Sequence, residues 1–177
     1  MVGRWHISEQ EVYSQDLDAT QSAQAVPYGT IVRGTYTGFA SGSANYGAGE
    51  FIYLKGVAST VVGSLVVYDP LNGSTTLAPD TAKQGEPVAV AMSANVANQN
   101  GWYQIAGPAV IKKTAVAVNP GVAVYLSGTA GRVMPTLASG KQLLGARSVN
   151  ASTVTSTTST ITVVLNRPHL QGEAGAA

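Results

Sequence analysis

Apolar and polar residues alternate with a period of two over much of the chain. In "TAVAV", Val116 and Val118 point one way and Ala115 and Ala117 the other. In "VAVYL", Val122, Val124 and Leu126 share a face. Such alternation marks half-buried strands, and Val116, Val118, Val122, Val124 and Leu126 are expected in the core. "TIVRGTY" (Thr30 to Tyr36), "EFIYLKG", "GSLVVYD", "EPVAVAMSA" (Glu86 to Ala94) and "STITVVLNR" read as further strands, with Pro168 ending the last. Turn chemistry separates them: Asn72-Gly73, Asn100-Gly101, Asn119-Pro120-Gly121 and the loop Ser127 to Arg132. Short strands punctuated at this spacing predict an all-β fold, a compact β-barrel or β-sandwich. No long amphipathic helix alternates with them, so a parallel sheet is not expected.

The pattern divides the chain in three. Residues 1–26 are polar with scattered apolar anchors and read as an extended N-terminal arm. Ser8 stands three residues before Glu11, the capping-box spacing, so a short helical turn there is the other reading. Residues 27–170 form the β domain. Residues 171–177 are a small polar tail, expected to be flexible. Within the domain, "NASTVTSTTST" has no proline and reads as a loop or an edge strand with its hydroxyls in water.

Composition narrows the function. Of 177 residues, 45% are hydrophobic and only 11% charged, with a net charge of +1. The usual charged fraction is about a quarter, so this surface suits packing against other subunits, and a homo-oligomer is expected. The densest basic run is Lys112-Lys113, too little for electrostatic nucleic-acid binding. The longest apolar stretch, Gly56 to Tyr68, falls short of the roughly 20 residues of a membrane span and reads as a buried strand pair. No membrane association is expected. Cysteine is absent, which removes disulfides and thiolate metal sites. "MVGRWHISEQ" has no apolar core of a secretory leader, so the two glycosylation sequons, at Asn72 and Asn150, are set aside.

Candidate chemistry is sparse. His6 and His169 lack a third ligand at metal spacing. "DLD" at Asp16 to Asp18 lacks the other oxygens of a calcium loop. There is no G-x-S-x-G, no phosphate loop, and no pair of carboxylates spaced for glycoside hydrolysis. No enzyme activity, cofactor or metal is expected. Trp5, Ile7, Tyr13 and Leu17 sit on an arm with no core of its own, and are expected to contact a protein surface beyond the body. Trp102 and Tyr103 are the prominent aromatics of the sheet region. They read either as one residue in the core and the other covering a turn, or as an exposed pair, an interface or a stacking platform.

"GVASTVVGSLVVYD", "GEPVAVAMSANVANQNGWYQIAGPAVIKK", "GVAVYLSGTAGRVMP" and "GKQLLGARSVN" resemble the small all-β head decoration, or cement, proteins of tailed bacteriophages. The resemblance runs from about Gly49 to Leu170 and lies in the order and texture of the strands. It implies a non-enzymatic virion protein, made in the host bacterial cytoplasm and located on the outer surface of the capsid. It implies that the major capsid protein is the partner and that a homotrimer bridges and stabilises its subunits. The resemblance gives no catalytic residues. The alternative is a non-catalytic ligand- or carbohydrate-binding β module of a phage fibre or surface protein, with Trp102 and Tyr103 as its platform.

Overall fold

Alternating side chains make strands only where a neighbouring strand is in place to pair with them. A computed structural model describes residues 5–7, 15–36 and 46–173. Among the described residues there are twelve strands and no helix. They are β1 (Trp5–Ile7), β2 (Thr20–Gln21), β3 (Ile31–Tyr36), β4 (Ala48–Lys55), β5 (Leu65–Tyr68), β6 (Thr75–Leu77), β7 (Val88–Ala91), β8 (Asn100–Lys112), β9 (Ala123–Leu126), β10 (Val133–Met134), β11 (Gln142–Ser148) and β12 (Thr160–Leu170). The all-β expectation is met. The strands join one large antiparallel sheet in the order β1-β3-β4-β8-β12-β11-β9-β10, and it is not closed.

The long strand β8 organises the sheet. Tyr103 pairs with Ile52 of β4 on one side and with Ala91 of β7 on the other. Beyond Ala106 the strand pairs with β12 instead. Residues near the branch are therefore buried on both faces. Phe51, Tyr53 and Trp102 pack into one cluster with Leu17, Val26 and Val32. Their neighbours Ile52, Leu54 and Tyr103 pack into a second with Val66, Ala89 and Ala91. The largest cluster joins Leu65 and Val88 to Val124, Leu126, Val133 and Leu143. Side chains from distant parts of one sheet meet there, so the sheet wraps around its own core.

Several local expectations are corrected. Asn100-Gly101 is not a turn but the start of β8. The Asn100 amide donates to the carbonyls of Gln21 and Ser22, which ties β2 to β8. A Cβ on Gly101 would lie 3.2 Å from the Ala19 carbonyl oxygen and 3.3 Å from the Asn95 side chain. This glycine permits close packing rather than a bend. Residues 56–68 hold one strand, not two: Val61 and Val62 are exposed in the turns before β5. Val118, Val124 and Leu126 are core as expected and Val122 packs beside them, but Val116 is exposed because its segment leaves the sheet after Lys113. Pro168 does not end β12, which runs on to Leu170. It sits at an irregularity of the β11–β12 ladder, where no regular hydrogen bond is required of it.

Irregularities line up across four strands. Between β4 and β8 the register shifts after Glu50, where Ile105 has no partner. Between β11 and β12 it shifts around Gly145, opposite residues 166–168. Gly107 (φ +88°) and Gly145 (φ +74°) are left-handed, and so is Arg167 (φ +43°). Bulges bend strands and re-aim side chains. This crease bends the sheet along the row Glu50–Ala106–Asn166.

Candidate interaction surfaces

The arm anchors separate in the structure. Leu17, expected to contact something beyond the body, is 1% exposed and packs with Phe51 and Trp102. That expectation is corrected: residues 15–26 lie on the body, where Gln15 donates to the Asn100 carbonyl at 3.1 Å and β2 pairs with β8. Ile7 belongs to β1, which pairs antiparallel with β3, and it packs partly against the same cluster. Trp5 is placed as backbone, opposite Tyr36 at the edge of the sheet. Tyr13 and the Ser8–Glu11 capping box lie outside the described residues.

Trp102 and Tyr103 are both 0% exposed. Neither can serve as a stacking platform or a surface anchor, so that expectation is corrected for both. Adjacent residues of a strand face opposite sides, and here each side is core. The Trp102 ring meets Tyr53 edge to face at 5.0 Å. Asn95 Nδ2 donates to the Tyr103 hydroxyl at 2.9 Å. Burial pushes the Tyr103 hydroxyl up to about 12, while hydrogen bonds with Thr75 and Asn95 pull the other way.

A pH dependence follows. Above the ordinary value of 10.0 the unfolded chain loses this proton while the folded chain keeps it. The folded state then binds more protons, so stability present below pH 10 is lost as pH rises toward 12, at about 1.4 kcal/mol per pH unit. Urea unfolding at about pH 9 and about pH 11.5 should show this loss, and Tyr103→Phe should reduce it, since the raised hydroxyls of Tyr28 and Tyr68 still contribute. An equal alkaline loss in the variant would assign the effect to other groups.

Neither histidine gathers ligands. No group of three or more His, Asp and Glu able to hold a metal ion occurs among the described residues. Lys113, of the basic pair Lys112-Lys113, is 1% exposed. Its ammonium donates to the carbonyls of Thr114 at 3.1 Å and Val116 at 2.8 Å, and burial lowers its pKa.

Three surface features stand out among the described residues. A groove beside the start of β8 is lined by Tyr28, Lys55, Asn98 and Gln99. The Tyr28 ring stacks on Tyr53 at 6.1 Å, and Lys55 Nζ lies 4.8 Å from its centroid. That ring is already engaged in the fold.

The second feature is the outer face of β8, β12 and β11. Ala109, Ile111, Ile161 and Val163 turn inward, which leaves Val110, Thr160, Thr162 and Val164 outward. Val110 pairs with Thr162, whose carbonyl accepts from the Val149 N–H at 2.9 Å. Val110 and Val149 are 40% and 39% exposed.

The third is a charged row on the crease, which the sequence reading missed. Arg33 of β3 pairs directly with Glu50 of β4, and Arg167 reaches the same carboxylate from β12. The only sequence signal was the polar position of Arg33 and of Glu50 in two strands; their register was not readable. The chain matches no family model, no curated protein and no solved structure.

Proposed function

We propose that the chain is a non-catalytic structural protein of a tailed-phage virion. It binds the outer surface of the capsid as a trimer and stabilises the shell by bridging major capsid protein subunits. The observation that carries the reading is the outward face of β8, β12 and β11, where Val110, Val149 and Val164 stand among threonines, between Lys112 opposite Thr160 and Arg147 opposite Val164. A β face that exposes apolar and hydroxyl side chains together, with charge confined to its margins at Lys112 and Arg147, suits contact with another protein. The low charged fraction of 11% supports it, as does the sequence resemblance. A specific interface buries about 800 Å² on each partner. Repetition over a symmetric shell then raises the effective affinity without new contacts.

Purified virions of the phage that encodes the chain are expected to carry it on their outer surface. Its absence there would reject the reading. Isolated protein should also sediment with shells that lack it. A Val110→Asp/Val149→Asp variant should bind at least about tenfold more weakly, since it places two charges in the contact. Undiminished binding would remove this face from the interface. The arm is tested by deleting residues 1–14, which spares Leu17 and Val26 of the core. Unchanged binding after that deletion would exclude an attachment role for the arm.

A further inference from the structure

We propose that Arg33 and Arg167, held on either side of Glu50, form a recognition site for a carboxylate on an acidic segment of a protein partner. Arg33, Glu50, Ala106 and Asn166 are direct register partners across β3, β4, β8 and β12. Directly paired residues share a face, so these four form one row. In a regular strand Arg167 would point to the opposite face from Asn166. Its left-handed backbone, φ +43°, instead returns it to the row. There its Nε and one Nη each donate to Glu50 Oε2 at 3.1 Å. A non-glycine residue in this conformation is strained, and such strain points to a side chain whose placement matters.

The charges favour a monoanion. Two guanidinium groups converge on one carboxylate, leaving one positive charge uncompensated in the row. A carboxylate cancels that charge; a dianionic phosphate would overfill it beside Glu50. Arg33 contacts Glu50 Oε1 only at 3.6 Å, beyond hydrogen-bonding distance, and its side chain is 73% exposed. Its planar fork is thus available for a bidentate bond to an incoming carboxylate. Gly49, Ala106 and Gly107 line the depression between the arginines, so small residues let a partner's backbone approach. An exposed ion pair alone contributes little. Affinity therefore has to come from a segment that places one acid in the row and a second at the exposed Arg147, which pairs with Val164 and shares a depression with Asn166, and this makes a protein segment, not a free small acid, the fitting ligand.

The site does not depend on the partner being a capsid subunit, so its test uses the isolated folded chain. A peptide of about ten residues rich in glutamate is titrated against the labelled protein, with backbone amide and arginine Nε–H resonances observed by NMR. Saturable shifts are expected at Arg33, Glu50, Gly107, Asn166 and Arg167. The Arg33→Gln/Arg167→Gln variant should bind about tenfold more weakly, and added salt should weaken the wild type. If that variant does not fold, Arg33→Gln alone, at an exposed strand position, should still weaken binding about threefold. Shifts absent from the row, or spread equally over Lys55 and Lys112, would overturn the site. Inorganic phosphate binding as tightly as the peptide would overturn the assignment to a carboxylate.

Discussion

Trp102→Ala is expected to lower the stability of the fold by about 3–5 kcal/mol, measured by urea unfolding at neutral pH. The indole is 0% exposed and packs with Phe51, Tyr53, Val32 and Leu17. Neighbours on rigid strands can collapse only partly into the space it leaves, so a cavity penalty adds to the lost burial. Trp102→Phe should cost much less, because a ring remains against Tyr53. The pair of variants separates core from platform. A surface aromatic would lose ligand binding at near-normal stability. The placement of Trp102 instead predicts large destabilisation in the alanine variant and a normally folded phenylalanine variant. A loss below about 1 kcal/mol for Trp102→Ala would contradict the described packing.

Gly107→Ala is expected to cost about 3–5 kcal/mol, from two sources that act together. The residue has φ +88°, a region that L side chains rarely adopt. A Cβ there would also lie 2.5 Å from the Ala48 carbonyl oxygen and 3.0 Å from Gly49 Cα. Both obstacles are backbone of the neighbouring strand, so no side-chain rotation relieves them. Gly121 provides the comparison. It has φ +73° but nothing within 4 Å of an added Cβ, so Gly121→Ala should show only the conformational cost, about 1–2 kcal/mol. Equal losses at the two sites would mean that β4 moves away freely. Hydrogen exchange along the Glu50–Ala106 pairing would then quicken in the Gly107 variant. Because Gly107 lies on the crease, the same substitution should disturb the Arg33–Glu50–Arg167 row.

The positions of Val118, Val124 and Leu126 were legible because alternation reports which side of a strand faces the core. The turn at Asn119-Pro120-Gly121 was legible for a similar local reason: Gly121 has the positive φ that its type favours. Asn100-Gly101 carried the same kind of signal and is strand. Its glycine answers to the Ala19 backbone and the Asn95 side chain, groups that only the folded chain brings near. Leu17 was misread for a related reason. On an isolated arm it has no partners, but β2 pairing with β8 carries it onto Phe51 and Trp102.

Local residue order by itself therefore determined the all-β class, most strand positions and the low charge of the surface. Those properties depend on side chains a few positions apart. The branching at β8, the burial of Trp102 and Tyr103 on opposite faces, and the inward turn of Lys113 were decided by tertiary structure. So was the meeting of Arg33, Glu50 and Arg167, residues up to 134 positions apart. Register between distant strands is a collective choice, made by core packing and by the bulges that crease the sheet, and no short stretch of sequence contains it.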